Sequence, residues 1–420
     1  MLPEKIRLLD VNIAGGEAGL LQHTSQYTFS YRRDDPQQRP MALLMPPNRL
    51  EYRDTSLFPV MDQNLPEGFL LERLRREFPK QQITPMHLLA LIGTNGIGHL
   101  GFRLPDSAPS VPPTLISRQD LLQAKADGAL FDELVRAYLS TGVGISGFQP
   151  KILVPDRSTW AVPNLIVKAA GATYPGLAAN EYVCLQAAAR AGIRVSHHEL
   201  SRTGELLVLE RFDLAEDGQR LGFEDIASLM GLQVRDVLSD RKYQGSYEAI
   251  AELLGLLHLD RDLPQFFEQV AFSIMVRNGD AHLKNFGVLY THPGDARLAP
   301  MFDVVTTSIY ESSRVDGGPP MEDFTMALKL FKGKHETRTY PDTAELVKFG
   351  RQVCRVSNPA DVLERIAEGM IAALKEAKSD ERIPVGMLEK MARKWELGLA
   401  YSKEARLQPA PDKRARKPGA

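Results

Sequence analysis

The residues best suited to chemistry lie in residues 278–286, which read N-G-D-A-H-L-K-N-F, and in P-M-F-D at 300–303. They supply two carboxylates, Asp280 and Asp303, one amide, Asn285, and one ammonium, Lys284. Transfer of a phosphoryl group needs a base near the attacking hydroxyl and hard oxygen ligands for Mg²⁺. An Asp, an Asn five residues later and an Asp on the following hairpin can meet both needs. Lys284 would add positive charge where the transferring phosphate lies. The expected chemistry is that of a kinase.

Such a loop must be held rigidly. Behind it, Leu263, Phe266, Phe267, Val270, Ala271 and Ile274 recur at helical spacing, so a helix over Leu263–Met275 is expected to bury one face and carry the loop at its end. A short apolar strand over 286–290 should follow. Upstream, residues 140–151 read S-T-G-V-G-I-S-G-F-Q-P-K. Glycines such as Gly144 and Gly147 let backbone N–H groups approach a phosphate, although an ordinary turn has the same composition. The strand expected at 165–168 ends on Lys168, and a helix opening at Asn180 and Glu181 should stop at Gly192. A strand lysine and an early helix acid is how kinases pin the α- and β-phosphates. The run over 206–213 suits a lobe-joining hinge and a plain edge strand equally.

The rest of the chain frames these elements. With 420 residues, 43% of them hydrophobic, 25% charged and a net charge of −2, a protein of two or three lobes is expected, with no general attraction to nucleic acid or anionic membrane. Cys184 and Cys354 sit in apolar, helix-like contexts and read as reduced, buried thiols, which suits a cytoplasmic protein. No signal-peptide pattern or bilayer-length apolar run is found, so no membrane is expected among its partners. Short strands are expected over 6–31, broken at Gly15, Gly16 and Gly19, then helices at 69–78 and 86–92, the second capped by Thr84 and Pro85. A strand over 99–104 and a Pro- and Ser-rich linker over 105–113 close this first module, which clusters no catalytic residue types. A helix is expected to open at S-R-Q-D, 117–120, which resembles a capping box, with a further helical piece at 129–139. Helical chain is expected over 223–259 with a break near 239–245, and again over 343–377 and 384–400. Residues 322–330 are placed beside the cleft, and the basic tail over 407–420 reads as disordered.

Taken in order, G-F-Q-P-K at 147–151, L-I-V-K ending at Lys168, N-E-Y from Asn180, E-R-F-D at 210–213, G-D-A-H-L-K-N-F at 279–286 and P-M-F-D at 300–303 resemble the HipA family. D-Q-N-L-P-E-G at 62–68 and the Ile-Gly pattern over 88–101 resemble that family's N-terminal part. The resemblance implies a serine/threonine protein kinase, the toxin of a HipBA-type toxin–antitoxin module, with ATP and Mg²⁺ as cofactors. It implies a bilobal, protein-kinase-like α/β (α+β) fold with an extra N-terminal subdomain over 1–106. The rest of the N-lobe would be 107–213, and a mostly helical C-lobe 214–406.

Carried over, Asp280 would be the catalytic base, and Asn285 and Asp303 the metal ligands. Lys168 would bind the ATP phosphates, paired with Glu181, and Lys151 would reach phosphate or order the Gly-rich loop. Glu210 to Phe212 would meet adenine, and Asp213 would lie near the ribose. Lys284 would neutralise the transferring group, and His282 would be architectural, bonding the loop backbone. Where the family commonly carries a self-phosphorylated serine this chain has Gly144, so Ser146 becomes the candidate. Implied partners are a HipB-like DNA-binding antitoxin and a protein substrate such as an aminoacyl-tRNA synthetase, glutamyl-tRNA synthetase in the best-known case. Two alternatives stay open: a binding partner acting with the antitoxin as a corepressor on operator DNA, and a small-molecule kinase on the same scaffold.

Overall fold

The structure is a computed structural model, and it describes residues 3–32, 38–66, 71, 75–76, 82–93, 96–105, 117–123, 151–154, 164–169, 174–312, 321–322 and 324–407. The Gly-rich segment with Gly144, Ser146 and Gly147 lies outside them, as do the expected helix at 129–139, most of that at 69–78, most of the linker and the tail from 408.

The first module is an antiparallel sheet of β1 (Leu8–Ile13), β2 (Gly16–His23), β3 (Tyr27–Tyr31), β4 (Glu51–Asp54) and β5 (Leu100–Arg103), in the order β4-β3-β2-β1-β5. Gly15, at φ +87°, makes the turn between β1 and β2 as expected. Gly19 does not break a strand. It sits inside β2, where a Cβ would stand 2.4 Å from the Ser30 carbonyl oxygen, so only glycine lets β3 come this close. Helix α1 (Pro85–Ile92) starts at the expected Thr84–Pro85 cap, with Thr84 and His87 forming a capping box, and buries Met86, Leu88, Leu89 and Ile92 in the core of this sheet.

The second sheet comprises β6 (Lys151–Val154), β7 (Leu165–Ala169), β8 (His198–Leu200) and β9 (Leu206–Glu210), in the order β6-β7-β9-β8, with Lys151 opposite Lys168. Helix α2 (Leu177–Arg190) begins before Asn180 and closes at Gly192, whose φ of +74° lets Ile193 donate back to the Ala188 carbonyl at 3.0 Å. A third sheet, β10 (Gly222–Asp225), β11 (Gly287–Tyr290) and β12 (Arg297–Leu298), leads into helices α3 (Tyr247–Leu256), α4 (Leu263–Met275), α5 (Pro359–Ala377) and α6 (Val385–Leu407).

Several local expectations change. Residues 222–225 form a strand, not a helix, because β11 offers a partner edge in register, Phe223 opposite Leu289. A 3₁₀ stretch, Asp236–Tyr243, occupies much of the expected interruption. The helix expected over 343–377 is split: Thr343–Lys348 passes into a π-helical turn, Phe349–Val353, and Pro359 then starts α5 afresh. Helix α6 runs beyond 400 to Leu407, since Tyr401 and Ala405 continue its buried stripe. Helix α4 is buried on more than one face, with Gln269, Phe272 and Ser273 enclosed beside the apolar stripe. Gly398 lets α6 touch it, for a Cβ there would meet the Met275 carbonyl oxygen at 1.8 Å.

Polar groups lock the first module onto β10 and onto residues 211–220, which begin in the run expected as a hinge. Gln63 donates to the Phe223 carbonyl at 2.7 Å and accepts from the Asp225 N–H at 2.8 Å. Glu224 is buried, and one carboxylate oxygen accepts from both the Leu43 N–H (2.7 Å) and the Tyr290 hydroxyl (2.8 Å). Burial raises its pKa from 4.5 to about 7, and those two hydrogen bonds only partly oppose the rise. A folded-state pKa above the unfolded one favours the native state fully below 4.5 and loses that contribution as pH rises through about 7. The shift is worth about 3 kcal/mol. Denaturant unfolding at pH 5 and pH 8 should therefore show Glu224→Gln, which keeps the accepting oxygen, gaining about 3 kcal/mol on wild type at the higher pH. Parallel stability curves would contradict this account of Glu224.

Candidate active site

Helix α4 ends in a way that launches the loop. Arg277 adopts φ +58°, its N–H reaches the Ile274 carbonyl at 3.2 Å, and Asn278 N–H reaches that of Ser273 at 2.8 Å. This is a Schellman closure with an arginine where glycine is usual. The guanidinium stacks over Tyr340 (4.4 Å) and faces Tyr401 (5.8 Å), which offsets the cost of its backbone. Gly279 follows, and a Cβ there would stand 2.6 Å from the Thr325 carbonyl oxygen; its N–H donates to Thr307 Oγ1 at 2.6 Å. Asp280 is thereby turned into the cleft, where its Oδ1 accepts from the Tyr243 hydroxyl at 2.8 Å.

Across the cleft, the Lys168 ammonium is buried between two carboxylates. It donates to Glu181 Oε1 at 2.5 Å and forms an ion pair with Asp303 Oδ1. Burial alone would lower its pKa, but the charges of Asp303 and Glu181 outweigh it and hold Lys168 protonated. Asp303 has φ +52°, and its carbonyl accepts from Asn285 Nδ2 at 3.1 Å. The segment after it is clamped: Thr306 N–H donates to Asn180 Oδ1 (2.9 Å), Asn180 Nδ2 returns to the Thr306 carbonyl (3.1 Å), and Trp395 Nε1 donates to Thr306 Oγ1 (2.8 Å). Both cysteines are buried free thiols, and Cys184 touches this clamp through Asn180.

Lys168, Glu181, Asp280, Asn285 and Asp303 line one cavity of about 630 Å³. Phe212, Phe223 and Phe302 pack against one another there, with centroids 5.3–6.0 Å apart. Gln63, Asn64 and Ile97 of the first module line the cavity too, although the sequence of that module shows no catalytic clustering. Residues 325–327 also border it, in keeping with the expected place of that stretch. Among the described residues no group of three or more His, Cys, Asp or Glu could hold a metal by itself. Asp303 and Asn285 both line the cavity and carry hard oxygen atoms, a donor set that suits Mg²⁺ when phosphate oxygens complete the shell.

A two-lobed α/β cleft of this kind defines the structural class. The chain belongs to the HipA family: the HipA-like C-terminal domain matches residues 143–378, and the HipA N-terminal domain matches residues 9–103. A Haemophilus influenzae relative named "Putative kinase" is 30% identical over 193 residues, 42% of this chain and 56% of that protein. "Putative kinase Y4dM" of Sinorhizobium fredii is 24% identical over 337 residues, covering 73% of this chain and 78% of that protein. The chain thus spans little more than half the length of the first relative. HipA of Shewanella oneidensis MR-1, solved with HipB and its operator DNA, aligns with a TM-score of 0.67 at 17% identity, covering 96% of this chain and 100% of that chain. The fold is the kinase-like α/β fold of HipA. Among the described residues no helix is long and apolar enough to cross a membrane.

The structure brings Lys168, Glu181, Glu210, Phe212, Asp280, His282, Lys284, Asn285 and Asp303 to the same cavity. Glu210 pairs with Arg118 at its rim. Lys151 is placed by strand register only, opposite Lys168. His282 packs its ring edge-on to Tyr243 (5.3 Å), and its Nδ1 has no hydrogen-bond partner among the described residues. Burial, then the charges of Lys242 and Lys284, push its pKa well below 6.5, so it stays neutral. Tyr243 takes a part that no local motif signals.

Asp213, expected near a ribose, is turned away from the cavity. Arg211 grips both its oxygens (2.9 and 2.6 Å), and Gly98 N–H donates to one at 2.6 Å. Burial alone would raise its pKa, but the Arg211 charge outweighs it and holds the carboxyl below 3.8. Arg211 and Arg220 also donate to the Gly96 carbonyl, at 3.0 and 2.7 Å, so the cluster fastens the first module to the hinge. Asp213→Ala should cost about 3–5 kcal/mol of folding stability by stranding buried Arg211, with nucleotide affinity nearly unchanged. Equilibrium unfolding and nucleotide titration check this; weakened nucleotide binding at wild-type stability would restore the ribose role.

Proposed function

We propose that this protein is an ATP- and Mg²⁺-dependent serine/threonine protein kinase. The observation that carries the reading is the Lys168 ammonium gripped by Glu181 and Asp303 in one cavity with Asp280 and Asn285. Lys168 holds the α- and β-phosphates of ATP, while the Phe212, Phe223 and Phe302 rings receive the adenine. Asp303 and Asn285 would hold Mg²⁺, which neutralises charge on the phosphates. Asp280 takes the proton from the acceptor hydroxyl as its oxygen bonds to the γ-phosphorus and the bond to ADP breaks. Lys284 offsets charge on the group in flight.

Family membership supports a toxin role, and the Shewanella oneidensis complex of HipA with HipB and operator DNA supports a HipB-like antitoxin as partner. An aminoacyl-tRNA synthetase, such as glutamyl-tRNA synthetase, is the proposed substrate, with arrested translation and growth as the outcome. Cytoplasmic residence follows from that substrate. Autophosphorylation at Ser146 would place negative charge beside the ATP phosphates and weaken nucleotide binding.

The test is transfer from labelled ATP with Mg²⁺ in a cell lysate, wild type against Asp280→Ala, with mass-spectrometric identification of the labelled protein. Asp280→Ala should lower labelling by about 10²–10⁴-fold. Measurable ATP binding without transfer would favour a corepressor acting with the antitoxin. ATP turnover with no phosphoprotein, the enzyme itself included, would favour a small-molecule kinase.

A further inference from the structure

The Tyr243 hydroxyl reaches Asp280 from the end of the 3₁₀ stretch Asp236–Tyr243, across the mouth of the cleft. Several contacts fix the ring and its backbone. The His282 ring meets it edge-on at 5.3 Å, the Lys242 ammonium stands 5.2 Å from its centroid, and Arg338, which lines the same cavity, lies 6.0 Å from the centroid. Arg338 also donates to the Tyr243 carbonyl, so it holds the residue at two points. Tyr247, one helical start later, donates instead to the Ala281 carbonyl at 2.9 Å, so two tyrosines grip adjacent residues of the loop.

We propose that Tyr243 is a positioning residue for transfer: its hydroxyl fixes the rotamer of Asp280, and with it the line along which that carboxylate meets the proton of the acceptor hydroxyl. Burial, followed by the charge of Asp280, pushes the phenol pKa above 10, so Tyr243 remains a donor across the working range. A hydrogen bond donated to the ionised form of a carboxyl favours that form, so deleting the hydroxyl should raise the pKa that the rate profile reports. Other charged or titratable groups facing this pair are Asp240, Lys242, Tyr247, Arg338, His282 and Lys284, with Lys168 and Asp303 on the opposite wall. None of them is removed when the hydroxyl is deleted.

This inference rests on Asp280 being the base. The experiment compares wild type, Tyr243→Phe and Asp280→Asn, reading kcat, KM for ATP and the pH profile of kcat. Phenylalanine keeps the ring contacts with His282 and Lys242, so it isolates the hydroxyl. Tyr243→Phe should lower kcat about tenfold, leave KM for ATP within about twofold, and move the acid limb up by roughly one pH unit. A wild-type limb position would overturn the proposal, whether kcat is kept or falls with stability, because a packing role does not move that limb. Full transfer by Asp280→Asn would overturn the base reading and this inference together. An inactive Asp280→Asn beside a Tyr243→Phe indistinguishable from wild type would overturn this inference alone.

Discussion

The site depends on one buried cation. Lys168 leaves a central strand of the second sheet and meets Glu181 from helix α2 and Asp303 from the loop after β12. A strand, the helix that follows it and a loop 135 residues from Lys168 are thereby tied at one ammonium. A buried charge is tolerable only with such partners, since desolvation costs several kcal/mol per ion and loss of one partner leaves that cost unopposed. The triad is therefore better understood as a specification of geometry than as a source of stability. Asn180, one residue before Glu181, extends it through a two-way bond to Thr306, three residues after Asp303. Helix α2 so controls both the carboxylate of Asp303 and the backbone that carries it.

The second constraint is the union of the first module with the hinge. Asp213, Arg211, Arg220 and the carbonyls of Gly96 and Leu100 form a buried polar knot. Gln63 and Glu224 add a second seam along β10. A buried polar network of this kind favours one docking geometry, because slippage would leave several donors unpaired at once. The reason for such a demanding seam is visible in the cavity, whose wall includes Gln63, Asn64 and Ile97. The first module is part of the cleft's construction, not an appendage to it.

What was legible in the sequence followed from locality. The 278–286 loop, Lys168, Glu181 and Asp303 stand in short motifs whose residue types have few other reasons to occur in that order, and their spatial meeting follows from the fold. The α1 cap and the Gly192 stop were equally local. Asp213 shows the opposite case. Its place in E-R-F-D gives no sign that Arg211, two residues earlier, and Gly98, on the other module, would consume its carboxylate. Strand β10 was missed because its apolar spacing fits a helix, and only the β11 edge decides. Tyr243 is a single aromatic residue in a polar, irregular stretch, and its partner lies 37 residues away. The absence of a pattern there reflects a contact made by tertiary packing alone.

The catalytic strip also carries backbone that would not form by itself. Arg277 and Asp303 both adopt left-handed conformations, each costing on the order of 1–3 kcal/mol for a residue with a side chain. The surrounding structure compensates both. The Schellman bonds and the Tyr340 ring hold Arg277, while Lys168, the Asn285 amide and the Thr306 clamp hold Asp303. Thr307 closes the circuit, since its hydroxyl accepts from the Gly279 N–H and donates to the Arg277 carbonyl at 3.2 Å. The two strained residues are thus braced against each other's segments through side chains of one short stretch, 306–307. Relaxing either one would displace a carboxylate that faces the cavity, Asp280 from one side or Asp303 from the other. That coupling explains why a helix as thoroughly buried as α4 stands behind the loop: the strain needs a support that does not yield.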